Sequence, residues 1–246
     1  MVVIPTSGRL YGEYTDRGLE SLNATLKDRL KGLKVDYRIL MDRDGWVDIE
    51  LDGVDTSVAA KLVGNLLGVR PKDRGDLDRC TAWVGRVEAI TGEGIVIDMK
   101  LIKAIVASKT VSLQLEDSYE GAVARYGLYP NVPVEVAIYE MNSGDYYAAC
   151  FSDNFLAKLH EWGVTGLNRI LITGVTSSIV RRHLKRNYME RYIAYYERLG
   201  ILEHHIVCKI ASNPYRIAQA LRSVLKGVDI YVVKPKPIGY LSLLHT

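Results

Sequence analysis

The feature that most constrains the fold of this 246-residue chain is a break in its hydrophobic periodicity at Arg70-Pro71-Lys72-Asp73-Arg74-Gly75-Asp76. Seven consecutive polar or turn-forming residues extend neither a helix nor a buried strand, so the chain on each side must organise separately. Before the break, Leu19, Leu22, Leu26 and Leu30 recur at helical spacing after a first strand in the opening dozen residues, and Gly32 ends that helix. Residues 35–41 and 46–51 alternate as strands around the turn Asp42-Arg43-Asp44-Gly45, and an amphipathic helix over 54–67 closes at Gly68.

Short links in the order β-α-β-β-α point to a small ferredoxin-like sandwich over residues 1–75. After the break, strands over 82–90 and 94–99 join through Thr91-Gly92-Glu93. A second hairpin, 132–140 with 146–151, turns at Asn142-Ser143-Gly144-Asp145, and 115–126 reads as a short helix between the two hairpins. This pattern suggests a small β-barrel with a helical insertion over 76–165. Its opening, Gly85-Arg86-Val87 followed by Gly94-Ile95-Val96-Ile97-Asp98, is similar to the first hairpin of RNA-binding OB-type barrels.

A short helical stretch over 157–162 and a turn over 163–166 lead into the last part. Strands over 169–173, 201–210 and 228–233 then alternate with helices over most of 177–199 and over 214–226, as in a third, α/β unit over 166–246. Lys234-Pro235-Lys236-Pro237 should run extended along the surface. The expected class is therefore α+β: a ferredoxin-like unit, an OB-like barrel and a basic α/β unit, with no evident sequence repeat. A real boundary at the break also predicts that residues 71–246 fold without the first seventy.

Charge is unevenly spread along the chain. A formal net of +3 conceals 12 Lys and Arg against 12 Asp and Glu in residues 1–75, 7 against 13 in 76–165, and 13 against 4 in 166–246. A strongly basic last third points to a polyanion, most often nucleic acid, and the acidic middle offers a surface for a protein partner. No apolar run reaches 18 residues and no basic leader precedes the first strand, so a cytoplasmic protein without membrane association is expected. Cys80, Cys150 and Cys208 are far apart and odd in number, which disfavours disulfides and structural zinc. His204 and His205 would face opposite sides of a strand, so no metal is expected, and no cofactor fingerprint is present.

The leading local candidate is the strand-to-helix junction at Thr176, Ser177 and Ser178, followed by Arg181, Arg182, Lys185 and Arg186. Unpaired amides at a helix start attract phosphate, although hydroxyl residues there also serve simply as caps. On one continuous helix, Arg181, Lys185, Tyr188 and Tyr192 would form a stripe of cations and aromatic faces suited to RNA. The competing reading buries the tyrosines against the sheet. In an OB-like barrel, Trp83 and Arg86 would be further nucleic-acid contacts, against the commoner role of a core Trp. The expected role is non-catalytic RNA binding linked to translation or RNA processing, with RNA or a ribonucleoprotein as partner. A small-molecule-sensing regulator of the ACT kind, holding its ligand at Ala211 to Pro214, and an RNA-modifying enzyme are the alternatives.

The stretch Tyr196-Glu197-Arg198-Leu199-Gly200-Ile201-Leu202-Glu203-His204-His205-Ile206-Val207-Cys208-Lys209 resembles an archaeal family, domain of unknown function twenty-one-ten. Residues 85–98, Tyr126-Gly127-Leu128 with Pro133 to Val136, and Leu167 to Ile170 with Thr173-Gly174 resemble it in order. The resemblance spans about 80–235 and implies an archaeal cytosolic protein, without catalytic residues to carry over. Where the family pattern has Gly-Thr-Asp-Ala-x-Gly after the Cys-Lys pair, this chain has Ala211-Ser212-Asn213-Pro214-Tyr215.

Overall fold

The computed structural model describes residues 1–77, 81–140 and 146–238; Cys80 and the expected turn at 142–145 lie outside that set. The chain is a mixed α+β protein with a closed five-stranded barrel between two separate sheets. The first sheet pairs β1 (Val2–Arg9), β2 (Val35–Met41) and β3 (Trp46–Gly53) antiparallel in the order β1-β3-β2. Helices α1 (Thr15–Arg29) and α2 (Thr56–Leu67) cover one face, packing Leu22, Leu26, Ala59 and Val63 on Val47, Ile49 and Leu51. Alternate residues point the other way, where Arg38 meets Glu50 at 3.8 Å. The β2–β3 turn needs its glycine: Gly45 has φ +80, and a Cβ there would overlap the Leu10 carbonyl.

The polar break is not a free tether. Val69 bridges to Thr6, Arg70 N–H donates to the Pro5 carbonyl, and the buried Arg70 guanidinium binds the Thr6 carbonyl and Asp48 at 2.6 Å. Charge and turn residues end the helix as read, but the segment then follows the open edge of β1, where it is held by hydrogen bonds.

The barrel comprises β4 (Ala82–Ile90), β5 (Gly94–Asp98), β6 (Lys103–Ala107), β7 (Pro133–Glu140) and β8 (Tyr147–Phe151), closed in the order β4-β5-β6-β8-β7. The sequence reading missed β6, which pairs parallel with β8. The single helix expected over 115–126 is replaced by α3 (Ser108–Leu115) and α4 (Tyr119–Tyr126). Glu116 turns left-handed (φ 50) and Ser118 caps the second helix through Gly121 N–H, so the chain stops and restarts there. Helix α5 (Asp153–Val164), capped by Ser152, begins earlier than expected.

The last sheet is built from β9 (Arg169–Thr173), β10 (Ile193–Arg198), β11 (His204–Cys208) and β12 (Asp229–Val233), all antiparallel, in the order β10-β11-β9-β12. Helices α6 (Ser177–Arg186) and α7 (Pro214–Arg222) pack on one face through Val180, Leu184, Ile217 and Leu221. The helix expected over most of 177–199 is corrected by the structure. Tyr188 turns left-handed, its N–H donates to the Lys185 carbonyl, and Met189 N–H donates to Leu184 at 2.8 Å. These two bonds satisfy carbonyls that a continuing helix would have used, and they release 193–198 as a strand.

Both terminal sheets thus share a strand-helix-strand-strand-helix path with the third strand central, a repeat of connectivity that the residues themselves do not betray. Opposite its helices, the C-terminal sheet packs on the barrel side: Tyr231 stacks on Tyr129 at 3.8 Å, and His205 meets Trp162 edge-on at 4.6 Å. Among the described residues no helix is long and apolar enough to cross a membrane.

Candidate nucleic-acid interface

Helix α6 buries Val180 and Leu184, which turns Arg182, Lys185 and Arg186 outward. None of the three forms an ion pair among the described residues. A ten-residue helix is about 15 Å long, so the candidates read from the sequence separate into two groups. Thr176, Ser177 and Ser178 sit at its start and Arg181 at its middle, with Ser177 and Arg181 facing α1 of the first sheet; Arg186 ends the helix, and Tyr188 follows it beside the start of α7.

At the far end a cleft of about 240 Å³ is lined by Tyr188, Arg191, Tyr192, Asn213 and Arg216. Tyr188 is 80% exposed, and Tyr192 is also exposed, which settles the burial alternative for these two rings against it. The continuous helical stripe of Arg181, Lys185, Tyr188 and Tyr192 does not exist, because the helix stops at Arg186 and both tyrosines lie beyond it. The loop from 211 to 213 closes the cleft from the other side: Ala211 has φ +66, and the Asn213 side chain accepts hydrogen bonds from the N–H groups of Tyr215 and Arg216, capping α7. Two non-glycine residues in left-handed backbone thus flank one opening, and each such residue is held there by its surroundings at a cost of about 1–3 kcal/mol. Arg191 and Arg216 were absent from the sequence reading. Their signal lies only in the meeting of two loops about twenty-five residues apart.

The two barrel candidates are corrected. Arg86 is 1% exposed, because its guanidinium joins all three sheets: Nε donates to the Ser7 carbonyl at 2.7 Å, and Nη1 donates to Asn131 at 2.7 Å and pairs with Glu203 at 2.9 Å. Glu203 is fully buried and also accepts from the Tyr11 hydroxyl at 2.7 Å; burial and that carboxylate push the Tyr11 pKa far upward. Trp83 is half-buried against the barrel core with its indole nitrogen enclosed, closer to the core role than to an exposed contact.

A second charged cluster lies between α5 and the last sheet. Glu197 accepts from Trp162 Nε1 at 3.0 Å and from Arg169, with Lys158 at 3.7 Å. Burial would raise its carboxyl, but His205, Lys158 and Arg169 outweigh that and hold it near about 2. Arg169 is the contact that matters, since the His205 ring is 3.9 Å away and burial keeps it neutral. Among the described residues no three His, Cys, Asp or Glu are grouped to hold a metal ion.

Comparison with known families places three profiles of one family end to end on this architecture: the DUF2110 N-terminal domain on residues 1–68, the DUF2110 central domain on 79–163 and the DUF2110 C-terminal domain on 167–233. No curated protein matches the sequence. The first profile falls on the β1-β3-β2 sheet with its two helices, the second on the barrel and α5, and the third on the basic β10-β11-β9-β12 sheet, so the chain belongs to the DUF2110 family over nearly its whole length.

Proposed function

We propose that this chain is a non-catalytic RNA-binding protein, acting in translation or RNA processing, whose C-terminal unit grips single-stranded RNA. The observation that carries the reading is the outward row Arg182, Lys185 and Arg186, without carboxylate partners among the described residues, running into a cleft that offers Tyr188, Tyr192, Arg191 and Arg216. Cations neutralise phosphates and exposed tyrosine rings stack on unpaired bases with little sequence preference. Topology supports it as well. The barrel order β4-β5-β6-β8-β7 with helices before its fourth strand is compatible with an OB-like unit, and both terminal sheets with a ferredoxin-like one.

A fluorescent single-stranded RNA titrated over a range of salt concentrations tests the reading. Each phosphate contact contributes about −0.7 to the slope of log affinity against log salt, so reversing Arg182, Lys185 and Arg186 to Glu should remove about 2 from the slope and abolish binding at moderate salt. The melting temperature should barely change, since surface charges contribute little to stability. Reversing Arg17 and Lys27 on α1 and Lys31 just after it, an equal change of charge, should leave the affinity nearly intact. Full affinity in the α6 variant overturns the proposal. The small-molecule alternative is favoured by the cleft beneath the 211–213 loop, and a metabolite that raises the melting temperature of a chain that ignores RNA would decide for it.

A further inference from the structure

The opposite end of α6 carries a different site. A cavity of about 130 Å³ lies between α1 and the start of α6. One water needs about 10–15 Å³ of such space, so there is room for a solute. Both terminal units build its walls: Ser21 and Thr25 from α1, Ser177 and Arg181 from α6, and Arg198 and His204 from the β10–β11 hairpin. Arg198 and His204 face each other across that hairpin, so pleating turns both to the side on which α6 packs.

Glu197 and Glu203 also border the cavity, with Glu197 held by Arg169 and Glu203 by Arg86 and Tyr11, and the remaining polar side chains around it can donate. Thr176, the cap residue of α6, makes no side-chain capping bond, and its hydroxyl is 3.1 Å from that of Ser178; its carbonyl takes the Ile179 and Val180 amides, which leaves the Ser177 and Ser178 amides at the positive end of the helix. Arg198 is braced by the Gly200 carbonyl at 2.9 Å and by Thr25 Oγ1 at 3.2 Å, and Arg181 lies 4.2 Å above the Tyr196 ring. Neither guanidinium forms an ion pair among the described residues. His204 lines the same space at 2% exposure, and its Nε2 meets no hydrogen-bond partner. Burial, with His205, Arg181 and Arg198 nearby, lowers its pKa to about 3, so the ring is neutral and has an N–H to give. An open helix start, two unpaired guanidinium groups and a buried imidazole without a partner are the complement of a small oxyanion.

We propose that this cavity binds a phosphate group, free or as a small monoester, and that the bound anion bridges the first and last units through α1, α6 and the β10–β11 hairpin. None of the RNA cations Arg182, Lys185 and Arg186 lines this cavity, so the site does not depend on the RNA reading. Calorimetry on the full chain in phosphate-free buffer, with inorganic phosphate in one arm and glycerol 3-phosphate in the other, provides the test. One equivalent should bind per chain, and the tighter arm identifies the free or esterified source. Arg181→Gln should weaken binding at least about tenfold, the loss of one charge-assisted hydrogen bond. Arg17→Gln, which removes the same charge from the exposed side of α1 outside the cavity, should change it less than about twofold. On phosphate addition the imidazole nitrogen resonances of His204 should shift. Absence of saturable binding in both arms, equal weakening by the two substitutions, or an unmoved His204 overturns the proposal.

Discussion

The first and last sheets follow the same path through three strands and two helices, yet one has its back to water and the other has its back to protein. On the first, the residues opposite the helices are Arg38, Glu50 and Asp48, and strand β2 alternates between half-buried and exposed positions. On the last, every residue of β9 and β11 is buried, because α6 and α7 cover one face and the barrel with α5 covers the other. On the back of the first sheet Arg38 is solvated and only Arg70 is buried, against Asp48; a charge on the back of the last must be paired or neutral. Arg169 with Glu197, Arg86 with Glu203, and the neutral His205 are the result. Two of the last unit's four acidic side chains, Glu197 and Glu203, are therefore drawn inward, while its exposed cations on α6 are left without partners among the described residues.

The largest effect that can break this comparison is at the junction. Glu203→Ala strands the buried Arg86 charge and should destabilise the chain by about 3–5 kcal/mol. At 2–4 °C per kcal/mol for a chain of this size, the melting temperature should fall by roughly 6–20 °C. Glu50→Ala, whose partner Arg38 is exposed on the back of the first sheet, should lower it less. Equal drops would mean that the two backs are not different. The same contacts reverse the expectation that residues 71–246 fold alone, since Ile201 and Leu202 sit in the first unit's core and Arg86 takes the Ser7 carbonyl.

An intermediate effect tests the pairing behind the last sheet. The Glu197 carboxyl is depressed from 4.5 to about 2, so the stability it confers is present above pH 4.5 and is lost as pH falls towards 2. Urea unfolding between pH 2 and 5 should show a steep acid limb in the native chain and a flatter one in Glu197→Gln. Identical limbs would remove Glu197 from the account.

The smallest effect sharpens the functional half of the comparison. Tyr188→Gly relieves left-handed strain and should raise stability by about 0.5–1 kcal/mol. It should weaken RNA binding by about 1–3 kcal/mol if the ring stacks on a base. A gain in stability with unchanged RNA affinity would make Tyr188 a bystander.

Much of the first unit was legible because its sheet faces water on one side. Alternation along 35–41 and 46–51, the Asp42 to Gly45 turn and the Gly68 stop are local signals, and the strands and helices formed where they point. The last unit was legible in its basic charge and in the strands 169–173 and 228–233, but not in its middle. There 177–199 carries good helix formers, and the stop at Tyr188 uses a left-handed tyrosine where a glycine would have signalled it. Strand β6 forms a hairpin with β5 across 99–102, where Lys100 takes the left-handed conformation in place of a signalling glycine, and only its pairing with β8, more than forty residues away, closes the barrel.

For the candidate site, the sequence alone determined the supply of cations on α6 and the presence of Tyr188 and Tyr192 beside them, because charge and residue order need no fold. Which cations meet which rings was decided only in three dimensions. Arg86 looked like a surface contact and became the buried tie between three sheets, whereas Arg191 and Arg216 became neighbours through two loops. Helical and strand periods act over a few residues and can be read along the chain, but burial depends on what packs against each face from afar. Desolvation then sets which charges are paired inside and which stay outside to meet a ligand.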